Sequence, residues 1–170
     1  LVGSKEASKK GGISKSVFYT LNLERIFIAF IMIRVCREVL TKAVEQAENE
    51  RASGLPMGSY PHIKQKLAKV KLKLELANLA TRKATQAYDK QEEPKTVGMY
   101  ANMAKLVATQ AANEACDVAL NIYGTAGLEK QSDIGPLYQI ARLFRIAPIN
   151  DEMVLNFIGE NYLGLPKSYR

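Results

Sequence analysis

Two groups of residues in this chain have the types and spacing that chemistry uses. The first is Glu24, which falls on the apolar spacing Val17–Leu21–Glu24–Ile28–Ile31. A carboxylate on such a stripe is expected to point toward a helical interior or a neighbour. Burial there raises its pKa and is costly unless a cation pairs with it. Two roles fit: structural partner of a nearby Arg or Lys, or general base tuned toward neutrality. The second group is the segment Asn121-Ile-Tyr-Gly-Thr-Ala-Gly-Leu128. Gly124 and Gly127 let the backbone approach a ligand closely or take positive φ. A helix C-cap followed by a turn accounts for the same residues, and a phosphate would prefer a helix N-terminus. Other chemistry lacks partners. The single histidine, His62, follows Pro61 and supports no Ser-His-Asp arrangement, while Cys36 and Cys116 lie 80 positions apart without metal-ligand spacing.

Helices must position these groups. From Ser14 to about Arg51 there is no glycine or proline, which predicts one long helix. Between Ile26 and Ile33 the apolar residues run all round it, so its middle is expected to be buried on most sides. Gly54, Pro56, Gly58 and Pro61 then break the chain. A second helix is expected from Pro61 to about Lys90, with Ile63, Leu67, Val70, Leu74, Ala77, Ala84 and Tyr88 inward. Its lysines (64, 66, 69, 71 and 73) make an outward basic face. A third, about Thr96 to Tyr123, carries Met99, Met103, Val107, Ala111, Ala115, Val118 and Ile122 as its stripe, with both methionines assigned to the core. Shorter helices follow at about Ile134–Ile146, stopped by Pro148, and about Asn150–Tyr162. No segment alternates with period two. The reading is an all-α, up-down four-helix bundle with a short C-terminal helix, preceded by a glycine- and lysine-rich leader over residues 1–13.

Composition narrows the function classes. The 170 residues suit one domain, and 47% hydrophobic with 24% charged residues excludes a disordered chain. The longest apolar run, Ile26–Ile33, has eight residues, against about 20 for a bilayer span. Lys plus Arg number 24 against 17 acids, a net +7, yet the excess is spread out and has no interleaved aromatics. A solvated basic face is expected, not a nucleic-acid surface. Two cysteines and no signal-peptide pattern predict a reduced, intracellular and cytoplasmic protein. The chain starts at Leu1, and is expected to be a piece of a longer protein.

Four segments, in order and spacing, resemble the C-terminal helical domain of acyl-CoA dehydrogenases over about residues 14–162. They are Leu23-Glu24-Arg25, Ala104-Lys105, Tyr123-Gly-Thr-Ala-Gly127 and Ala141-Arg-Leu-Phe-Arg-Ile-Ala147. The resemblance implies a bundle that follows an N-terminal helical domain and a middle β-domain. It also implies FAD, an acyl-CoA thioester substrate, a dimer-of-dimers centred on this bundle, and an electron-transfer flavoprotein as possible acceptor. In that family a base removes the pro-R α-proton of the thioester while hydride leaves the β-carbon for the flavin. The common base, the Glu of a Glu-Gly-Thr segment, falls here on Pro148, followed by Ile149 and Asn150. Proline is no base. A branched-chain and long-chain subset uses instead the Glu preceding Arg in the first bundle helix, which is Glu24, and failing that the base would be sought near Asp151 or Glu152. For the cofactor, the family's Arg-x-x-Phe-Gly, whose Arg reaches the flavin pyrophosphate of the neighbouring subunit, reads Glu50-Arg-Ala-Ser-Gly54, with the arginine one place late at Arg51. The glycine loop would add Gly124, Thr125 and Gly127. Asn121 stands for the family's Gln, and Gln139-Ile140 for its Arg-Asp. The flavin contacts are therefore diluted, and the alternative reading is a non-catalytic helical oligomerisation domain. The isolated fragment is expected to fold without holding FAD stably, and no metal is expected.

Overall fold

The computed structural model describes residues 12–168, with side chains from residue 20 onward. The expected leader, apart from Gly12 and Ile13, lies outside the described residues. Five α-helices form among the described residues: α1 (Gly12–Asn49), α2 (Pro61–Asp89), α3 (Pro94–Tyr123), α4 (Ile134–Phe144) and α5 (Asp151–Tyr162). Proline occupies the first turn of α2 and α3, where its missing N–H has no helical partner to lose. Asn150 caps α5, its Oδ1 accepting from the Met153 amide at 2.8 Å. Where a plain loop is expected after α1, a two-stranded hairpin forms. Strand β1 (Arg51–Ala52) pairs antiparallel with β2 (Leu55–Pro56), and the turn places Ser53 and Gly54 at φ 49° and 84°.

Helix α3 is the central element, packed against α1, α2, α4 and α5. Its buried alanines (101, 104, 108, 111, 112, 115 and 119) remove side-chain bulk and let α1 and α2 approach closely. Two hydrogen bonds show that α1 and α3 run parallel, one at each end. Asn22 Nδ2 donates to the Pro94 carbonyl (3.3 Å), and Tyr123 OH donates to the Lys42 carbonyl (3.1 Å). α2 returns between them, and α4 with α5 makes the fourth limb, interrupted at 145–150. The all-α bundle is as the sequence predicts.

The phase of α1 is not. Asn22, Ile26, Ala29, Met32, Ile33, Cys36, Val39, Ala43 and Ala47 are buried, whereas Glu24 is exposed and Phe27, Phe30 and Ile31 are 59%, 48% and 48% exposed. At about 100° per residue, the 22–26–29–33 series and the 24–27–31 series lie on opposite faces. An apolar run that goes round a helix thus has one face covered by the bundle and another left open. On α2, Leu72, Leu76 and Leu79 are likewise exposed. Its lysines point outward as expected, except that Lys73 is half-buried and pairs with Glu114. Met99 is core and Met103 only half-buried. Burial pushes the thiols of Cys36 and Cys116 up to about 12, which marks them as unreactive core residues. Among the described residues, no helix is long and apolar enough to cross a membrane.

Candidate functional site

Asn22 and Arg25 of α1, the first turns of α3 including Pro94, Ile149 of the 145–150 loop and Phe157 of α5 line an open cavity of about 660 Å³. Its polar wall comes from α1. Arg25 Nη1 donates to Asn22 Oδ1 at 3.1 Å, and Asn22 in turn donates to the Pro94 carbonyl. Gly98 on α3 makes room for this pair, since a Cβ there would lie 3.2 Å from Asn22 Oδ1. Two buried polar atoms on cavity-lining residues have no partner: Arg25 Nε, a donor, and Asn102 Oδ1, an acceptor. Burial lowers the Arg25 pKa, and the neighbouring Glu24 charge raises it. Both atoms are closed off from solvent, so they belong to the packed side of the wall and not to the surface that a ligand would meet.

Glu24 does not line this cavity. It sits about 100° round α1 from Arg25, on the open face with Phe27 and Ile31, so the expectation of an inward carboxylate is overturned by the helix phase. The carboxylate that does border the cavity is Glu93, just before α3. Sequence reasoning passed over Glu93, Asn22 and Asn102. The last two carried a signal, because each is an asparagine at an inward position of an otherwise apolar stripe.

The glycine loop lies at the other end of the bundle. Tyr123 bonds α1 at Lys42, 18 residues beyond Glu24, or about 27 Å along the helix at about 1.5 Å per residue. Gly124 has φ 61° and donates its N–H to the Leu120 carbonyl, the geometry of a helix cap. Gly127 is buried, and a Cβ there would lie 3.0 Å from Leu120 Cδ2 and Tyr123 Cβ. Thr125 is exposed, as is Arg51, whose Nη1 donates to the Gly54 carbonyl at 3.0 Å. One chain therefore brings Glu24 into neither Arg51 nor the glycine loop.

A third cluster lies behind the cavity. Lys105, wholly buried on α3, donates from Nζ to the Ile149 carbonyl at 2.6 Å and stands 3.9 Å from Asp151 Oδ1. Asp151 Oδ2 accepts from Arg145 Nε (2.8 Å) and Gln110 Nε2 (3.4 Å). Burial lowers the Lys105 pKa and Asp151 raises it in opposition. Asp151 is thus committed to an internal ion pair, which removes it from the carboxylates open to substrate. Among the described residues, no three His, Cys, Asp or Glu side chains form a metal site.

Residues 14–163 match the family described as "Acyl-CoA dehydrogenase, C-terminal domain". The chain belongs to the acyl-CoA dehydrogenase family. It is 37% identical to acyl-CoA dehydrogenase FadE12 of Mycobacterium tuberculosis over 169 residues, covering 99% of this chain and 42% of that protein. It is 33% identical to the mitochondrial short-chain specific acyl-CoA dehydrogenase of Sus scrofa over 156 residues, covering 92% and 37% respectively. Among solved structures, butyryl-CoA dehydrogenase from Megasphaera elsdenii superposes with a TM-score of 0.81 at 25% identity, over 91% of this chain and 39% of that one. The chain thus spans about two fifths of the acyl-CoA dehydrogenases that it matches. Within this family the matched region is the C-terminal domain.

Proposed function

We propose that this domain serves an FAD-dependent acyl-CoA dehydrogenase, with Glu24 as the base that takes the α-proton of an acyl-CoA thioester. The observation that carries the reading is the cavity itself, in which the apolar Pro94, Ile149 and Phe157 stand beside the polar Asn22, Arg25 and Asn102 on a chain of this family. The pantetheine arm of a CoA thioester, with amides between short alkyl stretches, suits a lining of that mixed kind. With the arm in the cavity, the thioester end emerges beside α1. There Glu24 is exposed and forms no contact ion pair, its charge acting on the half-buried Arg25 only through space, and Phe27 and Ile31 offer an apolar flank for the acyl chain. Proton abstraction next to a thioester needs a carboxylate shielded from water, so the outer face of α1 must be covered in the assembled protein. An Asn102→Leu variant removes one of the polar side chains that line the cavity. Its affinity for butyryl-CoA in the full-length protein is expected to fall about tenfold, the equivalent of one net hydrogen bond of about 1.4 kcal/mol. Unchanged affinity by calorimetric titration would overturn the placement of the arm.

FAD, when bound, takes up the hydride leaving the β-carbon. The side-chain donors at the glycine-loop end suit the diphosphate of such a dinucleotide: an exposed guanidinium on Arg51 and the exposed Thr125 hydroxyl, with open space beside Gly124. That end lies about 27 Å from Glu24 along α1. These residues therefore serve an FAD held mainly by other parts of the protein or by a neighbouring subunit. Electrons then pass to an electron-transfer flavoprotein. The exposed stripes Phe27–Phe30–Ile31 and Leu72–Leu76–Leu79 supply homo-oligomer or interdomain contact. The purified 170-residue chain is accordingly expected to be colourless, without stoichiometric flavin absorbance, and to sediment as a dimer or tetramer at tens of micromolar. A yellow monomer would contradict both statements. Self-association without any role for Glu24 in turnover would favour the assembly-domain reading.

A further inference from the structure

We infer that Lys105 is a positioning residue. By anchoring the Ile149 carbonyl it fixes the 145–150 loop as a wall of the cavity. Its effect on substrate rests on the acyl-CoA reading of that cavity, whereas the anchoring itself does not.

The loop is held weakly by its own backbone. Ile146 and Ala147 amides donate back to the Leu143 carbonyl at 2.9 and 3.0 Å, and the Val154 amide donates to the Asn150 carbonyl at 3.2 Å. These bonds close the ends of α4 and α5 and do not tie the loop across to the bundle. The Lys105 ammonium does, at 2.6 Å from the Ile149 carbonyl, and the side chain of that same residue lines the cavity. Core filling does not explain a wholly buried lysine here. An apolar residue of similar volume in place of a buried ion pair is often neutral or stabilising. What it lacks is a donor for a main-chain carbonyl in a segment without regular secondary structure, where an unpaired carbonyl is costly. Asp151 keeps the ammonium in place from the α5 side, and is itself held by Arg145 and Gln110.

A wall that touches ligand equally before and during reaction contributes uniform binding. Its loss raises KM and leaves kcat nearly unchanged. The test uses Lys105→Met and the double variant Lys105→Met/Asp151→Asn in the full-length protein. In Lys105→Met, hydrogen exchange at the Ala147, Met153 and Val154 amides is expected to rise at least about tenfold while α3 amides stay protected, the signature of local opening. KM for butyryl-CoA rises about tenfold with kcat within about threefold. The double variant leaves no buried carboxylate opposite a missing cation, so its melting temperature returns toward wild type. Loop exchange and KM stay raised in it, because Ile149 still lacks its donor. Should Lys105→Met alone fail to fold, the double variant carries the measurement. Loop exchange equal to wild type in either variant, or a double variant that restores exchange and KM together with stability, would overturn the inference. A wild-type protein that neither binds nor turns over butyryl-CoA would count against the acyl-CoA reading, and the exchange data would still decide the anchor.

Discussion

Glu24→Gln in the full-length protein lowers acyl-CoA turnover by about 10²–10⁴, the contribution of a positioned general base. The amide keeps the shape and hydrogen bonding of the carboxylate but accepts no proton. Because Glu24 is exposed and makes no contact ion pair, acting on the half-buried Arg25 only through space, the same change should move stability by no more than about 1 kcal/mol. Flavin content should also stay at wild type. Had Glu24 been the interior partner of a cation, the substitution would have cost about 3–5 kcal/mol, and its exposure removes that reading. Stopped-flow flavin reduction gives the cleanest measurement, since it isolates the step in which proton and hydride leave the substrate. Reduction at the wild-type rate would end the case for Glu24. Glu93, the carboxylate bordering the cavity, would then be the next candidate, because Asp151 is committed to Lys105 and Arg145.

The largest stability effect is expected at Asp151. Asp151→Ala strands the Lys105 ammonium in the core without its counter-charge and should cost about 3–5 kcal/mol at pH 7. Arg145, partly exposed, regains water and adds little. The loss should depend on pH in a definite sense. Burial holds the Lys105 pKa below its ordinary 10.5, and removing Asp151 takes away the larger of the two acidic charges, Asp151 and Glu152, that raise it. A lysine depressed in the folded state carries its full burial penalty below the folded pKa. The penalty is relieved as pH rises toward 10.5, where the unfolded chain also loses its proton. The difference between Asp151→Ala and wild type in urea unfolding should therefore shrink from pH 7 to pH 10. The two buried thiols titrate alike in both proteins and cancel from that difference. A deficit below about 1 kcal/mol at pH 7, or one that does not shrink, would show that the ion pair is not what holds α5 to α3.

Much of this molecule is determined locally. Helix boundaries follow from where glycine and proline occur. The stretch from Ser14 to Asn49 has neither and forms all but the first two residues of α1, while Pro61 and Pro94 open α2 and α3 because proline suits a first helical turn. The alanine-rich stripe of α3 marks the central helix before any neighbour is known. The ordered segments around Glu24, Lys105, the glycine loop and Ala141 also carried the family, which the match over residues 14–163 bears out. Rotation was not determined in this way. The run Ile26–Ile33 is apolar on every side, so periodicity alone cannot say which face meets α3. A stripe counted through Glu24 and Ile31 fits the pattern as well as one through Asn22 and Ala29. Only packing decides, because the small residues 29, 36, 43 and 47 let α3 approach closely on their side, and the bulky Phe27 and Phe30 do not. The cavity and the Lys105 anchor were beyond reach for a related reason. They join residues 44 positions apart for Lys105 and Ile149, and 72 for Asn22 and Pro94. Contacts of that span depend on how whole helices are stacked. Local spacing carries no record of it.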